Sequence, residues 1–542
     1  MTQRYVDSSD GVRIAVYEQG NPAGPTLVLA HGYPDTHRVW DPIVPLLADR
    51  FRIIRYDNRG AGESSKPKRT SAYRMERFAD DFAAVINALS ADRAVHVLAH
   101  DWGSSGVWEF LARPAAAGRV ASFTSVSGPS PRHVRRYLLE TLSRPLRAAR
   151  FVHGVRQLGR LAAWAPRSIL VKMYRANAVG AGSDRRDPPV AVPVQLIVST
   201  QDPYLRPHFY DDAEAWAARL WRRDIRAGHS SPASHPGVLA RSVHQLVDHL
   251  DGAPAARELL RAEVGRSRGP FGDTLVSVTG AGSGIGRETA LAFARDGADV
   301  VISDVDAAGL EETARLVAAT GAAAHSYSLD VADAAAVEAF ADRVCAEHGV
   351  PDIVVNNAGV GHAGFFLDTP AEEYDRVLDI NFGGVVNGCR SFAKRLVERG
   401  TGGHIVNVAS MASYTPVNVM NAYCTSKAAV FMFSDCLRAE LDSAGIGLTT
   451  ICPGVVGTNI VETTRFSLPE ARRQDAEKVR GLARKGFGVR RYGPEKVAKA
   501  IVAAVKSNKA IRPVTPEAYF VYGAAHALPS AMRSAARGGS VM

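Results

Sequence analysis

Thr274-Leu-Val-Ser-Val-Thr-Gly-Ala-Gly-Ser-Gly-Ile-Gly286 runs from β-branched and apolar residues into a glycine-rich turn, and the turn opens a helical pattern. Strand, glycine turn and helix in that order start a doubly wound parallel sheet. The glycines let the backbone approach a pyrophosphate, whose charge then sits at the helix N-terminus. The stretch therefore predicts Gly280, Ser283, Gly284, Ile285 and Gly286 as the phosphate cradle of a dinucleotide. Next comes Asp299-Val-Val-Ile-Ser-Asp304, a strand whose terminal acid falls 24 residues after Gly280, suited to bind both hydroxyls of a ribose. A 2′-phosphate there would meet like charge, so NAD(H) is preferred to NADP(H), with Arg287 keeping NADP(H) open as the alternative.

Working outward, Leu329-Asp330-Val331, Asn356-Asn357-Ala358-Gly359 and Asn381 precede Ser410, which is followed by Tyr423 and Lys427, thirteen and four residues apart. A Tyr-x-x-x-Lys pair spans one helical turn and puts both side chains on one face. Taken in order across residues 274–458, these motifs resemble the short-chain dehydrogenase/reductase family. The resemblance implies Asp330 and Val331 near the adenine, Asn357 beside the cofactor, and Pro453 to Thr458 as the turn that holds the carboxamide. It further implies Ser410 on the substrate oxygen and Asn381 in a water-linked proton path behind Lys427. Lys427 is expected to bind the nicotinamide ribose and to lower the Tyr423 pKa, so that the phenolate accepts an alcohol proton as hydride leaves. Residues 459–487 fit the variable substrate loop of this family. The tail 516–542 is left open between completing the pocket, supporting a homo-oligomer and touching a membrane.

Upstream of the segment 265–273, Gly-Arg-Ser-Arg-Gly-Pro-Phe-Gly-Asp, which reads as a linker, a second α/β alternation occupies residues 1–264. Its strands are Thr26–His31, Phe51–Asp57, Ala94–His100 and Gln195–Ser199. Inside it, Ala99-His100-Asp101-Trp102-Gly103 has the small-x-nucleophile-x-small spacing of a nucleophile elbow, with Asp where an esterase carries Ser. A carboxylate attacks carbon to give an alkyl ester, which water activated by His then cleaves.

Together with His31-Gly-Tyr-Pro34 and Asp57-Asn-Arg-Gly60, this half resembles the α/β-hydrolases that open epoxides or carbon–halogen bonds. That likeness implies an oxyanion hole from the backbone N–H groups of Tyr33 and Trp102, and a set in the order Asp101, Asp202, His229, in which Asp202 orients His229 as base. Asp202 also reads as a plain Asp-Pro turn residue, and His235 competes with His229. Epoxide hydrolases place two lid tyrosines over the nucleophile; Tyr174 matches the second, and Tyr137 does not fit the first. Epoxide opening is therefore expected, with dehalogenation and a docking role for this half as alternatives. As a whole the chain resembles an actinobacterial fusion of the two families, bifunctional on hydrophobic or lipid-like small molecules.

Composition sets the bounds. At 542 residues, 46% hydrophobic and 22% charged, the chain is expected to form more than one globular domain. No apolar run is long enough to span a membrane, and the N-terminus lacks the apolar core of a secretory signal, so a cytoplasmic protein is expected. Five cysteines, none before residue 345 and none in a C-x-x-C pair, predict neither disulfides nor a metal site. The net charge of +10 lies in residues 129–190, an Arg-rich helical insertion read as a lid over the hydrolase-like site. Such a lid could rest on an anionic membrane; without a recognisable reading motif, nucleic-acid binding is not expected.

Overall fold

A computed structural model describes residues 1–129, 133–134, 169–178, 189–469 and 492–538. The chain forms two compact units, Met1–Arg266 and Ser267–Met542.

The first unit holds β1 (Thr2–Asp7), β2 (Arg13–Gly20), β3 (Thr26–Ala30), β4 (Arg52–Tyr56), β5 (Val95–His100), β6 (Val120–Val126), β7 (Val194–Ser199) and β8 (Leu220–Ile225). They make one sheet in the order β1-β2-β4-β3-β5-β6-β7-β8. The β1–β2 and β2–β4 pairs are antiparallel and the rest parallel. Alternation along the central strands assigns the two faces. Val28, Ala30, Val97 and Ala99 join a core with Phe82 and Val107, from helices Met75–Leu89 and Asp101–Leu111. Leu27, Leu29, Leu98 and Ile197 face the other way, onto Leu239 and Val243 of helix Pro236–Leu250. Burial on both faces explains why these strands read as unbroken apolar runs.

The second unit contains β9 (Leu275–Thr279), β10 (Asp299–Asp304), β11 (Ala324–Ser328), β12 (Ile353–Asn356), β13 (His362–Gly364), β14 (Gly403–Val408), β15 (Ile446–Cys452), β16 (Arg465–Ser467) and β17 (Ile511–Pro513). Its main sheet runs β11-β10-β9-β12-β14-β15-β17, parallel throughout, and β13 pairs with β16 apart from it. The chain starts at the centre of the sheet and winds outward in both directions. That puts a topological switch point, the place where such sheets bind ligands, at the C-terminal ends of β9 and β12. Val276, Val278, Val300 and Ile302 pack on helices Gly284–Arg295 and Pro494–Lys506, whereas Leu275, Val301, Val354 and Ile405 pack on Ala334–His348 and Gly384–Arg399. Within the 265–273 segment, Phe271 lies 4.9 Å edge-on to Phe293, so its distal part packs against this second unit. No described helix is long and apolar enough to cross a membrane.

Candidate active sites

In the first unit β5 ends at His100, and Asp101 turns the chain into its helix with φ of 48°, a left-handed backbone unusual for any residue but glycine. The turn thrusts the side chain out of the sheet end. Its neighbours must be small: a Cβ on Gly32 would lie 2.6 Å from both Cβ and Oδ2 of Asp101. The loop carrying Gly32 is fixed from beneath, because the His31 ring bonds the Gly32 carbonyl at 2.6 Å and accepts the Asn58 N–H at 2.9 Å. Burial pushes His31 down to about 4, so it is a neutral structural ring.

The Asp101 carboxylate accepts the backbone N–H of Tyr33 at 3.0 Å and that of Trp102. On its other side, Oδ1 stands 3.9 Å from Nε2 of His229, whose Nδ1 is 2.8 Å from Oδ2 of Asp202. Asp202 also accepts the N–H groups of Tyr204 and Leu205, at 2.8 and 3.0 Å. It is thus both the turn residue and the partner of His229, which dissolves the alternative posed by its Asp-Pro context. His235 stands elsewhere, at the N-cap position of helix Pro236–Leu250, with its ring bonded to the Ser234 hydroxyl. His100 lies beneath, bonded to the His229 carbonyl at 2.9 Å and driven down to about 3 by burial.

Burial raises Asp101 to about 6, against the opposing pull of the His229 charge and the two N–H groups. For His229 burial acts against the charged form, yet the Asp202 hydrogen bond and the charges of Asp101, Asp202 and Asp35 prevail, and the net shift is upward. Asp202 is held below the usual carboxylate range: burial opposes this, but His229 and the backbone N–H groups outweigh it. The charges thus sit where an ionised nucleophile and an oriented imidazole need them.

Tyr174 lies on helix Ile169–Ala178 with its ring 5.2 Å edge-on to Trp102. Asn177 pins that helix to the body by accepting the Met75 N–H at 2.9 Å and donating to the Tyr73 carbonyl at 3.0 Å. Apart from Lys172 and Arg175, the basic residues of the insertion lie outside the described residues, as does Tyr137. Two residues of this site escaped the sequence reading. Tyr204 sets its ring 5.2 Å edge-on to His229, and Asp35 adds a third carboxylate to the field of His229. Asp35 could have been suspected from its place four residues after His31 in the same loop; Tyr204 carries no spacing signal.

In the second unit the glycine turn is as tight as its sequence demands: a Cβ on Gly286 would lie 2.1 Å from the Gly280 carbonyl oxygen. Ser283 is the N-cap residue of helix Gly284–Arg295, and the Ile285 carbonyl accepts the Thr289 hydroxyl inside its first turns. Asn357 ties the turn to β12 by donating to the carbonyls of Thr279 and Gly280, at 3.0 and 3.1 Å. Asp304, at the end of β10, accepts the N–H groups of Gly282 and Asp306, at 2.8 and 3.1 Å. Asp330 bonds the Ala332 N–H, and the Val331 carbonyl takes the Asn387 amide. Thr458 approaches Gly284 from across the turn, and the Pro453 carbonyl accepts the Met411 N–H. A glycine cradle with an acid at the end of the neighbouring strand fits a nicotinamide dinucleotide.

The Ser410 hydroxyl bonds Tyr423, and Lys427 donates to the Val408 carbonyl at 2.9 Å. Asn381 sits in a π-helical turn, Asp379–Gly383, a distortion frequent at functional sites. Its amide grips the Val360 backbone and the Ser426 hydroxyl. A Cβ on Gly359 would lie 3.0 Å from Oδ1 of Asn381 and 3.3 Å from Nζ of Lys427, so both atoms converge on one face of that glycine. One expectation is corrected. Burial raises the Tyr423 phenol, and the opposing pull comes from Ser410, not Lys427. Lys427 is itself driven down to about 8 by burial. Arg287 is also spent, on the carbonyls of Gly282 and Gly309 and the Thr313 hydroxyl. At the C-terminal end, Glu517 accepts the Val455 N–H at 3.2 Å, and the Tyr414 hydroxyl donates to the Ala518 carbonyl at 3.1 Å. The helix Pro516–Ala527 thereby braces the 453–458 turn. Among the described residues, no group of three or more His, Cys, Asp or Glu could hold a metal ion.

A family model described as short chain dehydrogenase matches residues 274–467, and one described as alpha/beta hydrolase fold matches residues 25–172. The protein named "Probable oxidoreductase EphD" of Mycobacterium tuberculosis is 59% identical over 580 residues, covering 98% of this chain and 98% of that protein. D-threitol dehydrogenase of Mycolicibacterium smegmatis is 41% identical over 183 residues, covering 34% of this chain and 70% of that protein. A crystal structure of a short-chain dehydrogenase/reductase from Burkholderia phymatum in complex with NAD is 30% identical; it covers 48% of this chain and 92% of that one, with a TM-score of 0.43.

Proposed function

We propose a two-reaction function for this chain, which belongs to one family with the mycobacterial oxidoreductase EphD and joins an α/β-hydrolase fold to a short-chain dehydrogenase. The first unit opens epoxides with an aspartate nucleophile, and the second interconverts an alcohol and a carbonyl with NAD(H). The observation that carries the first half is the Asp101 carboxylate held on two backbone N–H groups, with His229 at 3.9 Å and Asp202 behind it.

In the first reaction an Asp101 oxygen attacks an epoxide carbon. The carbon–oxygen bond of the ring breaks, its electron pair goes to the ring oxygen, and that oxygen takes a proton from a phenol such as Tyr174. Formation of the ester removes the Asp101 charge, one of those holding His229 up. His229 is thereby released to act as base, taking a proton from the water that attacks the ester carbonyl. The N–H groups of Tyr33 and Trp102 are placed to stabilise the oxyanion, and on collapse the departing alkoxide takes the proton from His229, which frees the diol. The proton left over when the Asp101 carboxylate is restored returns to the phenol.

In the second unit the bound nicotinamide supplies or accepts the hydride. Tyr423 exchanges the proton with the alcohol oxygen, Ser410 holds that oxygen, and Lys427 binds the ribose and relays the proton on the side of Asn381. The Asp304 carboxylate opposes a 2′-phosphate, and Arg287 is already bonded within the protein, which supports NAD(H) over NADP(H). If the reactions act in series, an epoxide and water give a vicinal diol, and the diol with NAD⁺ gives a hydroxyketone, NADH and a proton.

The test is a single vessel holding the full chain, NAD⁺ and a panel of aryl and long-chain epoxides, with diol and NADH followed together. Diol formed without NAD⁺, and NADH appearing only after it, is expected. NADH from alcohols with no diol from any epoxide would leave the dehydrogenase reading standing and remove the hydrolase one.

A further inference from the structure

Tyr174 stands against Trp102 on the lid side, while Tyr204 stands against His229 on the side of the acid loop. Both rings thus flank the Asp101 carboxylate through its two immediate neighbours, the elbow residue Trp102 and the base His229. Tyr204 is held there by its own backbone, because its N–H is fixed on Asp202 at 2.8 Å while Asp202 bonds His229. The residue is 47% exposed, so it is not sealed in the core. Burial, then the Asp101 charge, then Tyr204 oppose ionisation of Tyr174, which stays protonated.

We infer that Tyr204 is the second phenol of the epoxide site, supplied by the loop after Asp202 rather than by the lid. With Tyr174 it binds the ring oxygen, and one of the two donates the proton as the carbon–oxygen bond breaks; the tyrosinate is reprotonated when the ester is hydrolysed. The inference rests on the epoxide-opening reading of the first unit. The hydroxyl is carried by the same loop that positions the base, since Asp202 bonds both the Tyr204 N–H and His229.

The experiment compares the full-length chain with Tyr204→Phe, Tyr174→Phe and the double variant, measuring alkyl-enzyme formation and decay by rapid quench with a styrene oxide series. Phenylalanine keeps the ring against His229 and removes only the hydroxyl. Tyr204→Phe is expected to slow alkylation by about tenfold or more and the double variant by on the order of 10²–10⁴-fold, the range for a lost general acid, with ester decay in Tyr204→Phe within about twofold of the parent. Alkylation unchanged by Tyr204→Phe in both the parent and the Tyr174→Phe background would overturn the inference. So would slowed decay with normal alkylation, which would make Tyr204 a support for His229. In either case adducts still form and the epoxide reading survives. If the parent forms no adduct even with His229→Gln blocking its decay, the reading itself fails, and the inference falls with it.

Discussion

The two candidate sites prepare their chemistry in opposite ways. Around Asp101 the charges are already arranged: Asp202 is held ionised, His229 is held up by three carboxylates, and the Asp101 carboxylate rests on two N–H groups. Burial raises Asp101 as well, but only to about 6 against those groups, whereas around Tyr423 it raises the phenol and lowers Lys427 to about 8, so both are biased toward their neutral forms. A covalent nucleophile must be ionised before substrate arrives, and desolvating it is tolerable because fixed dipoles and a counter-charge replace the water. The first site therefore opposes burial with a charge and fixed dipoles, and the second opposes it at Tyr423 with the Ser410 hydroxyl.

Variants can break this contrast at either end. The largest effect is expected for Tyr423→Phe: oxidation of alcohols should fall by on the order of 10²–10⁴-fold, the usual scale for a lost acid–base group, while diol formation from epoxides is unchanged, as parallel assays of NADH and diol would show. Gly286→Ala attacks the scaffold rather than the chemistry. With a Cβ 2.1 Å from the Gly280 carbonyl the turn has to shift, at a cost of about 1–3 kcal/mol for overpacking. Fluorescence titration should show NADH binding weakened about tenfold or more.

A subtler probe is pH. Because Asp101 is raised to about 6, it is protonated and inert below that value, so single-turnover alkylation should halve near pH 6 and fall about tenfold per unit beneath it. Loss of the His229 charge, which pulls Asp101 down, should move that limb upward in His229→Gln. The smallest effect belongs to Asp35→Asn. Removing one carboxylate from the field of His229 lowers the imidazole, so the acid limb of ester decay should shift to lower pH with the plateau rate kept.

What could be read from the chain follows the range over which its physics acts. Glycine turns, the elbow and the Tyr-x-x-x-Lys pair are local, so spacing alone revealed them, and buried parallel strands announced themselves as apolar runs. β8, whose sequence Leu-Trp-Arg-Arg-Asp-Ile carries three charges, and the exposed β1 gave no such signal. In the sites, the partnership of His229 with Asp202 was legible from chain order. That of Tyr204 with His229 was not, because it depends on how two loops lie after the sheet has formed. The bracing of the 453–458 turn by Glu517, 62 residues beyond Val455, was hidden for the same reason. Lys427 marks a different limit: spacing put it beside Tyr423, but its charge state is set by burial, which no local motif records.

The most direct test of the account is the intact mass of Asp101→Asn and His229→Gln chains after incubation with a reactive epoxide. The account predicts that His229→Gln accumulates a species heavier by one epoxide and that Asp101→Asn never does. No adduct on His229→Gln across the panel, or an adduct of equal yield on Asp101→Asn, would contradict the aspartate mechanism and leave the first unit without the chemistry assigned to it.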